Sequence, residues 1–575
     1  MQDQKLEPLL DLALDAPRED FFRSQSLQTG YDPAARTWKL IVRHSRDISQ
    51  VDAMGVARSE LLNGYAVLEV PEDRIEEVSA LPQIEFVEKP KRLFFADSRA
   101  RAASCLSKIQ AGMSAPAGAL NLTGRGILLA VIDSGIDYFH RDFCRPDGTT
   151  RILELWDQDL DRVFTAEEIN EALERGRAEG KEEGKRLVPS SDFSGHGTAV
   201  AGIAAGNGQE SGGQYRGVAY ESSLLIVKLG TPDRDGFPRT TELMEAVNYA
   251  AIRAVELKMP LVINLSFGNT YGSHDGTSLL ETFISDLSGY GRMTVVVGTG
   301  NEGASGGHTS GYVRMGENTE IELSVAAYET GLGLQLWKSY ADVYQIEMIT
   351  PSGESSGPID SRLGARTLSY RGTRILLYYG KPSPFSTSQE IYFDFIPSGM
   401  YLDSGIWKIR LNPIRIVTGA YDAWLPSGNI LNPGTRFLRP QPETTLTIPS
   451  TAAKVISVGA YNDSTQTYAD FSGRGFTRNG MVKPDLAAPG VDIIAPRRGG
   501  GYEAVSGTSF AAPFVSGSSA LLMEWGLIQG NDPFLYGEKV KASLIRGARQ
   551  LPGFSQWPNP QLGYGCLCAA DSIFL

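Results

Sequence analysis

Hydrophobic and polar positions change rhythm three times along the 575 residues. From residue 127 to 303, short runs of nearly unbroken Val, Ile and Leu ("ILLAVIDSG", "SLLIVKL", "LVINLSFG", "MTVVVGTGNEG") alternate with other segments. In those, "TTELMEAVNYAAIRAVELK" and "SLLETFISDLSGYG", apolar residues recur every three or four positions. Strands apolar on both faces between amphipathic helices predict a parallel sheet covered on both sides. From about 308 to 443 the period drops to two, in "TEIELSVAAY", "QIEMITP", "RILLYYG", "EIYFDFIP" and "GIWKIRL", separated by Gly, Pro, Ser and Asn. That predicts an inserted antiparallel β-domain, a sandwich or jelly roll. The α/β rhythm resumes at "AKVISVGAYN" and closes with helices over 509–526 and about 537–548. The charged stretch 165–186 reads as a solvated surface helix.

Ahead of this body, residues 38–92 read as a small α/β unit. Its strands are "WKLIVRH", "YAVLEV" and "IEFVEKP", and "PEDRIEEVSAL" is a helix opened by proline. "FFADSRARAAS" (94–104) is polar, small and Arg-containing, and reads as an exposed linker open to cleavage. The expected organisation is therefore 1–100, 101–307, 308–443 and 444–575, the second and fourth pieces forming one α/β domain.

Charge and composition narrow the function. A net charge of −13 leaves no basic field to replace phosphate counterions, which argues against nucleic acid. No run approaches the ~18 apolar residues of a membrane-spanning helix. The acidic start "MQDQKLEPLLDLALDAPREDFF" has no uninterrupted apolar core, so no signal peptide is expected and the chain is expected to be made in the cytoplasm. Four cysteines are too few for a disulfide scaffold at this length. Cys566 and Cys568 are poorly spaced for a bridge, Cys105 and Cys144 are isolated, and all four read as structural or incidental thiols.

Candidate chemistry sits where strands and helices end. Asp133 closes the strand "ILLAVID", a position where doubly wound folds gather functional groups. His196, one of only five histidines, heads a helix of very small residues in "FSGHGTAVAGIAAG". Ser509 opens another helix in "AVSGTSFAAPFVSG", where free peptide N–H groups favour negative charge. Asn301 ends "VVVGTGN" in a glycine-rich loop. Singly, each suits a turn, a cap or a packed side chain. Together they make a mechanism. A serine hydroxyl needs a base, the neutral imidazole needs a partner on its other nitrogen, and a tetrahedral oxyanion needs donors. His196, Asp133, and the Asn301 amide with the Ser509 N–H fill those parts, and the small residues around His196 admit a peptide backbone.

"VIDSGID", "SGHGTAVAGI", "INLSFG", "GTGNEG", "KPDLAAPGVDI" and "SGTSFAAPFVSG" resemble, in order and wording, the subtilisin-like serine proteases. The chain order Asp, His, Ser separates them from α/β-hydrolases and chymotrypsin-like enzymes. The resemblance covers roughly 105–307 and 444–575. It implies a subtilisin-like doubly wound parallel sheet, Asp133, His196 and Ser509 as a triad, and Asn301 as an oxyanion-hole side chain. It also implies a substrate cleft walled by Ser266, Phe267 and Gly268 and by Gly298, Thr299 and Gly300. No cofactor is required. Such proteases often carry structural calcium, but no carboxylate cluster assigns a metal site. The expected lack of a signal peptide, the charged insertion between Asp133 and His196 and the β-insertion after Asn301 together look like the Csp-type subtilases of clostridia, as do "TLTIPSTAAKVISVGAYN" and "RILELWDQ". That group activates a cortex-lytic zymogen during spore germination. The resemblance implies a ferredoxin-like α+β prodomain that assists folding, is released autocatalytically and in some cases stays in the cleft. The expected partners are a protein substrate and the chain's own prodomain, with a spore-associated location. Two alternatives are a restrained subtilase acting as a binding scaffold and a general intracellular subtilase.

Overall fold

The computed structural model describes residues 5–574 apart from 24, 29, 62–63, 91–96, 111–119, 232–237 and 385. The chain divides into two compact units, Met1–Phe95 and Ala96–Leu575.

The first unit is built on a five-stranded antiparallel sheet. Thr37–His44 pairs with Tyr65–Pro71 and Ile84–Glu88, and Ala57–Leu61 lies outside Tyr65–Pro71. Alternate residues Trp38, Leu40 and Val42 enter its core with Ala66, Leu68 and Val70. The segment read as one helix at 71–81 is instead a 3-10 turn, Glu72–Arg74, running into the short helix Ile75–Ser79. Only Ile75 and Val78 supply its buried face.

The second unit carries a nine-stranded sheet. Ile456–Asn462, Met293–Gly298, Leu261–Leu265, Leu128–Asp133, Ser223–Lys228 and Ile152–Asp157 lie in that order, all in parallel. Side chains alternate between two cores, so the strands are apolar throughout. Leu129 and Val131 face one core, and Leu128, Ala130 and Ile132 the other. The helices His196–Ala205 and Thr508–Met523 pack in the first core, and Thr240–Glu256 and Leu279–Ser288 in the second. The charged stretch forms two helices, Ala166–Glu179 and Lys181–Leu187, which bury Ile169, Ala172 and Leu173 and leave the charges outside.

Between Gly307 and Leu438 the chain leaves this body to form two antiparallel sheets, one of six strands and one of four. They enclose a common core that includes Trp407, Phe393, Tyr344 and Leu334. Strict alternation in Thr373–Tyr379 and Ser388–Pro397 puts every second residue into it.

Two expectations change. In the 94–104 stretch, residues 94–96 lie outside the described residues, while Asp97–Ala103 is a helix. Ala100 is buried in the α/β core, and Arg101 donates to the carbonyls of Arg216 and Gly217 and to Gln110. Small and arginine residues that read as a linker are thus a docked helix. Cys105, which the sequence leaves isolated, is disulfide-bonded to Cys568, 463 residues away, while Cys144 and Cys566 stay free and buried. Local spacing carries no trace of a contact so distant along the chain.

Candidate active site

Asp133 ends its strand fully buried, and His196 begins its helix with a side chain 29% exposed. They meet through His196 Nδ1 and Asp133 Oδ1 at 2.7 Å. The same carboxylate oxygen accepts from the Ser134 N–H at 2.8 Å, which fixes its orientation. Burial pulls the His196 pKa down, but the charge and hydrogen bond of Asp133, with the charge of Asp192, outweigh it and leave the pKa raised.

Asp192 escaped the sequence reading. It is fully buried and accepts from the N–H groups of Gly195 and Thr198, the Thr198 hydroxyl and the Ser134 hydroxyl. It therefore fixes the entry to the His196 helix and, through Ser134, the ground behind Asp133. An acidic residue four positions before the histidine was the only signal, and it reads equally as a turn residue.

Ser509 lies in the first turn of Thr508–Met523. Its hydroxyl donates to the carbonyl of Ser266 at 3.3 Å, whereas the Ser266 hydroxyl donates to the carbonyl of Ser509 at 3.0 Å. Behind them Asn264, fully buried in its strand, donates to Ser266 and accepts from Ser516. In this resting arrangement the nucleophile candidate is turned to Ser266 rather than to the imidazole. Catalytic hydrogen bonds of empty sites often tighten only when substrate arrives. The rings of Phe267 and Phe510 lie 6.2 and 5.3 Å from that of His196, centre to centre.

Asn301 Oδ1 accepts from the Thr508 N–H at 3.1 Å and the Thr508 hydroxyl at 3.2 Å. These donors settle which end of the amide is oxygen and leave the NH2 group beside Gly507, at the start of the Ser509 helix. Gly300, at φ +83°, lets its N–H reach the Thr508 hydroxyl at 3.0 Å, which tightens the loop around Asn301.

A cleft of about 850 Å³ runs over these groups, lined by His196, Ser509 and Asn301. Ser266, Phe267, Gly268, Gly298 and Gly300 line it as expected from their segments. Thr299 does not. It is fully buried just past the end of the strand Met293–Gly298, its hydroxyl 3.4 Å from that of Ser472 and its carbonyl accepting from the Thr447 N–H. Glu302, Thr447 and a stretch of the inserted sandwich also line the cleft, which the motifs alone did not indicate. Among the described residues, no helix is long and apolar enough to cross a membrane.

A buried carboxylate on an imidazole, a hydroxyl at a helix N-terminus and outward amide donors around one cleft are the parts of an acyl-transfer site. The chain resembles known proteases along most of its length. The solved structure of the Clostridium perfringens CspB protease is 38% identical, with a TM-score of 0.76, and the match covers 82% of this chain and 96% of that one. Among curated proteins, the minor extracellular protease Vpr of Bacillus subtilis is 24% identical over 452 residues, covering 75% of this chain and 49% of Vpr. The PI-type proteinase of Lactococcus lactis subsp. cremoris is 23% identical over 464 residues, covering 73% of this chain and 24% of the proteinase. This chain therefore spans about a quarter of the lactococcal proteinase and about half of Vpr. The Csp protease B prodomain profile matches residues 4–91. With the subtilase profile matching residues 124–395 and 427–565, and the Asp–His pair and serine-bearing helix inside those spans, the chain belongs to the subtilase family.

Proposed function

We propose that this protein is a serine endopeptidase that cleaves its own N-terminal prodomain and then a protein substrate. The observation that carries this reading is the 2.7 Å Asp133–His196 bond in a cleft shared with Ser509 and Asn301. The Ser509 hydroxyl rotates from Ser266 to His196 Nε2, gives up its proton and attacks the peptide carbonyl. Asp133 holds the other ring nitrogen and stabilises the imidazolium. The oxyanion is received by the Asn301 amide and the Ser509 N–H. His196 then protonates the leaving amine, and water, activated by the same imidazole, frees the acyl group.

Residues 1 to about 96 are the segment removed. A bond upstream of Asp97 suits this role better than one within 97–104, because Ala100 is buried and Arg101 is held by two carbonyls of the α/β body. The prodomain match and the likeness to the clostridial CspB protease support a narrower substrate, the zymogen of a spore cortex-lytic enzyme.

Intact mass and N-terminal sequencing of the purified chain beside Ser509→Ala test the reading. Two fragments from the wild type, divided near 91–97, against one uncut mutant chain are expected. A wild type that remains one 62.3 kDa chain, inert to a fluorophosphonate, would overturn it. Incubation of the processed chain with a purified cortex-lytic zymogen tests the narrower substrate, and an uncut zymogen refutes it.

A further inference from the structure

The cleft does not end at the two wall segments that the family likeness suggests. Beyond Asn301 it is closed by residues 427–436, the stretch on which the inserted sandwich returns to the α/β body. Two buried glutamates, one from each side, pin this strap. Glu302, 7% exposed, accepts from the Ser427 hydroxyl and from the Gly428 N–H. Glu329, 3% exposed and belonging to the sandwich, accepts from the Asn432 N–H and the Thr435 hydroxyl. The strap thus occupies both oxygens of Glu302, the carboxylate nearest the pocket. Arg436, from the same strap, adds a positive charge to the lining.

The pocket is also short. Thr447, 4% exposed, stands between the two walls. A Cβ on Gly268 would lie 2.3 Å from its hydroxyl, and one on Gly300 would lie 2.3 Å from its methyl. Its hydroxyl has no hydrogen-bond partner. A side chain entering between the walls therefore meets Thr447 at the base and the strap at the far side.

We propose that residues 427–436 form the third wall of the pocket for the residue preceding the scissile bond, and that with Thr447 they confine that residue to a short uncharged side chain. The inserted domain is then a specificity element. The inference rests on the endopeptidase reading above. Lysine and arginine are disfavoured because Glu302 is already engaged by two donors and Arg436 repels them. Aromatic side chains are disfavoured because Thr447 fills their space, and glutamate because its length meets the same obstacle with the Glu302 carboxylate in the same lining. Alanine and serine fit.

The test uses the full-length, self-processed chain and peptides identical except for Ala, Ser, Phe, Lys or Glu before the scissile bond. Wild type is expected to hydrolyse the Ala and Ser peptides with kcat/KM about tenfold or more above the other three. Thr447→Gly is expected to raise the Phe-to-Ala ratio about tenfold. Glu329→Ala, remote from substrate, removes the oxygen that accepts from both Asn432 and Thr435, and Ser427→Ala removes one of the two bonds to Glu302; each loosens one end of the strap and is expected to raise the same ratio, with thermal melts confirming that the variants fold. Wild-type preference for Phe, Lys or Glu overturns the inference, as does a wild-type ratio in both folded strap variants. Fluorophosphonate labelling of Ser509 separates the failures. Labelling without selectivity overturns the pocket alone, whereas neither labelling nor hydrolysis overturns the protease reading and this inference with it.

Discussion

Gly517→Ala is expected to disable the enzyme from a distance. Gly517 lies in the Ser509 helix where it crosses the His196 helix. A Cβ there would sit 2.4 Å from Val218 Cβ and 2.8 Å from the carbonyl oxygen of Ala204. Carbon atoms rest at about 3.5–4.0 Å, so the added methyl demands a displacement of about 1 Å between elements with no free volume. Overpacking of this kind costs about 1–3 kcal/mol. Ala204 shares its helix with His196, and Gly517 shares its helix with Ser509, so the displacement falls on the spacing between base and nucleophile. Misplacement of about 1 Å costs on the order of a hundredfold in rate. The expected outcome is kcat/KM down about a hundredfold with a melting temperature only a few degrees lower. The assay is peptide hydrolysis normalised by titrating reactive serine, with thermal unfolding in parallel. Gly399→Ala, where an added Cβ meets nothing within 4 Å, serves as the control and is expected to match wild type. A folded Gly517→Ala enzyme within about twofold of wild type would refute the claim that this crossing sets the catalytic spacing.

Three further outcomes are expected. Asn301→Ala lowers kcat by about two to three orders of magnitude with KM little changed, and unchanged turnover removes Asn301 from the oxyanion hole. The His196 pKa is raised, and the base works only when neutral, so the acid limb of kcat/KM lies above the ordinary histidine value. Asp192→Asn removes one of the charges that raises it and moves that limb to lower pH, and a limb that stays or rises contradicts the assignment. Cys568→Ser frees the helix Asp97–Ala103 from the C-terminal segment and costs about 2–5 kcal/mol in denaturant melts; an unchanged midpoint under oxidising conditions shows that the bridge contributes nothing.

What was legible in the sequence is what local rules write. Strands such as Leu128–Asp133 and Met293–Gly298 are apolar at every position because a core lies on each face, and that pattern survives without coordinates. Asp133, His196, Asn301 and Ser509 were legible because close backbone approach forces small residues around them. Thr299 misled because a motif names consecutive residues, whereas its side chain packs inward against Ser472 between two glycines that line the cleft. Asp192, Glu302 and Thr447 were invisible for another reason. Each acts through partners far along the chain or through a backbone neighbour that any residue could supply. The Cys105–Cys568 bridge is the extreme case, since nothing local distinguishes a cysteine that will meet its partner 463 residues later.

The insertion after Asn301 looks hazardous for the proposed catalysis, because about 130 residues follow the loop that carries Asn301. The junction removes the hazard. Entry and exit run side by side: the Phe437 N–H donates to the Gly306 carbonyl, the Leu425 N–H to that of Gly307, and the Gln441 N–H to that of His308. A sandwich whose ends meet this closely transmits little strain to its host. Trp424 locks the joint. Its ring stacks between His274, at 4.1 Å, and His308, at 4.7 Å, and its N–H donates to the carbonyl of Thr444. Burial pushes the His274 imidazole down to about 4, so this ring stays neutral across the range in which His196 titrates. The His274 face of the clamp therefore keeps its charge state while His196 titrates, and the strap beside Glu302 is held at both ends by buried carboxylates. A wall that is rigid before substrate arrives discriminates by shape at no cost in ordering, which a flexible loop at the same place would incur with every substrate.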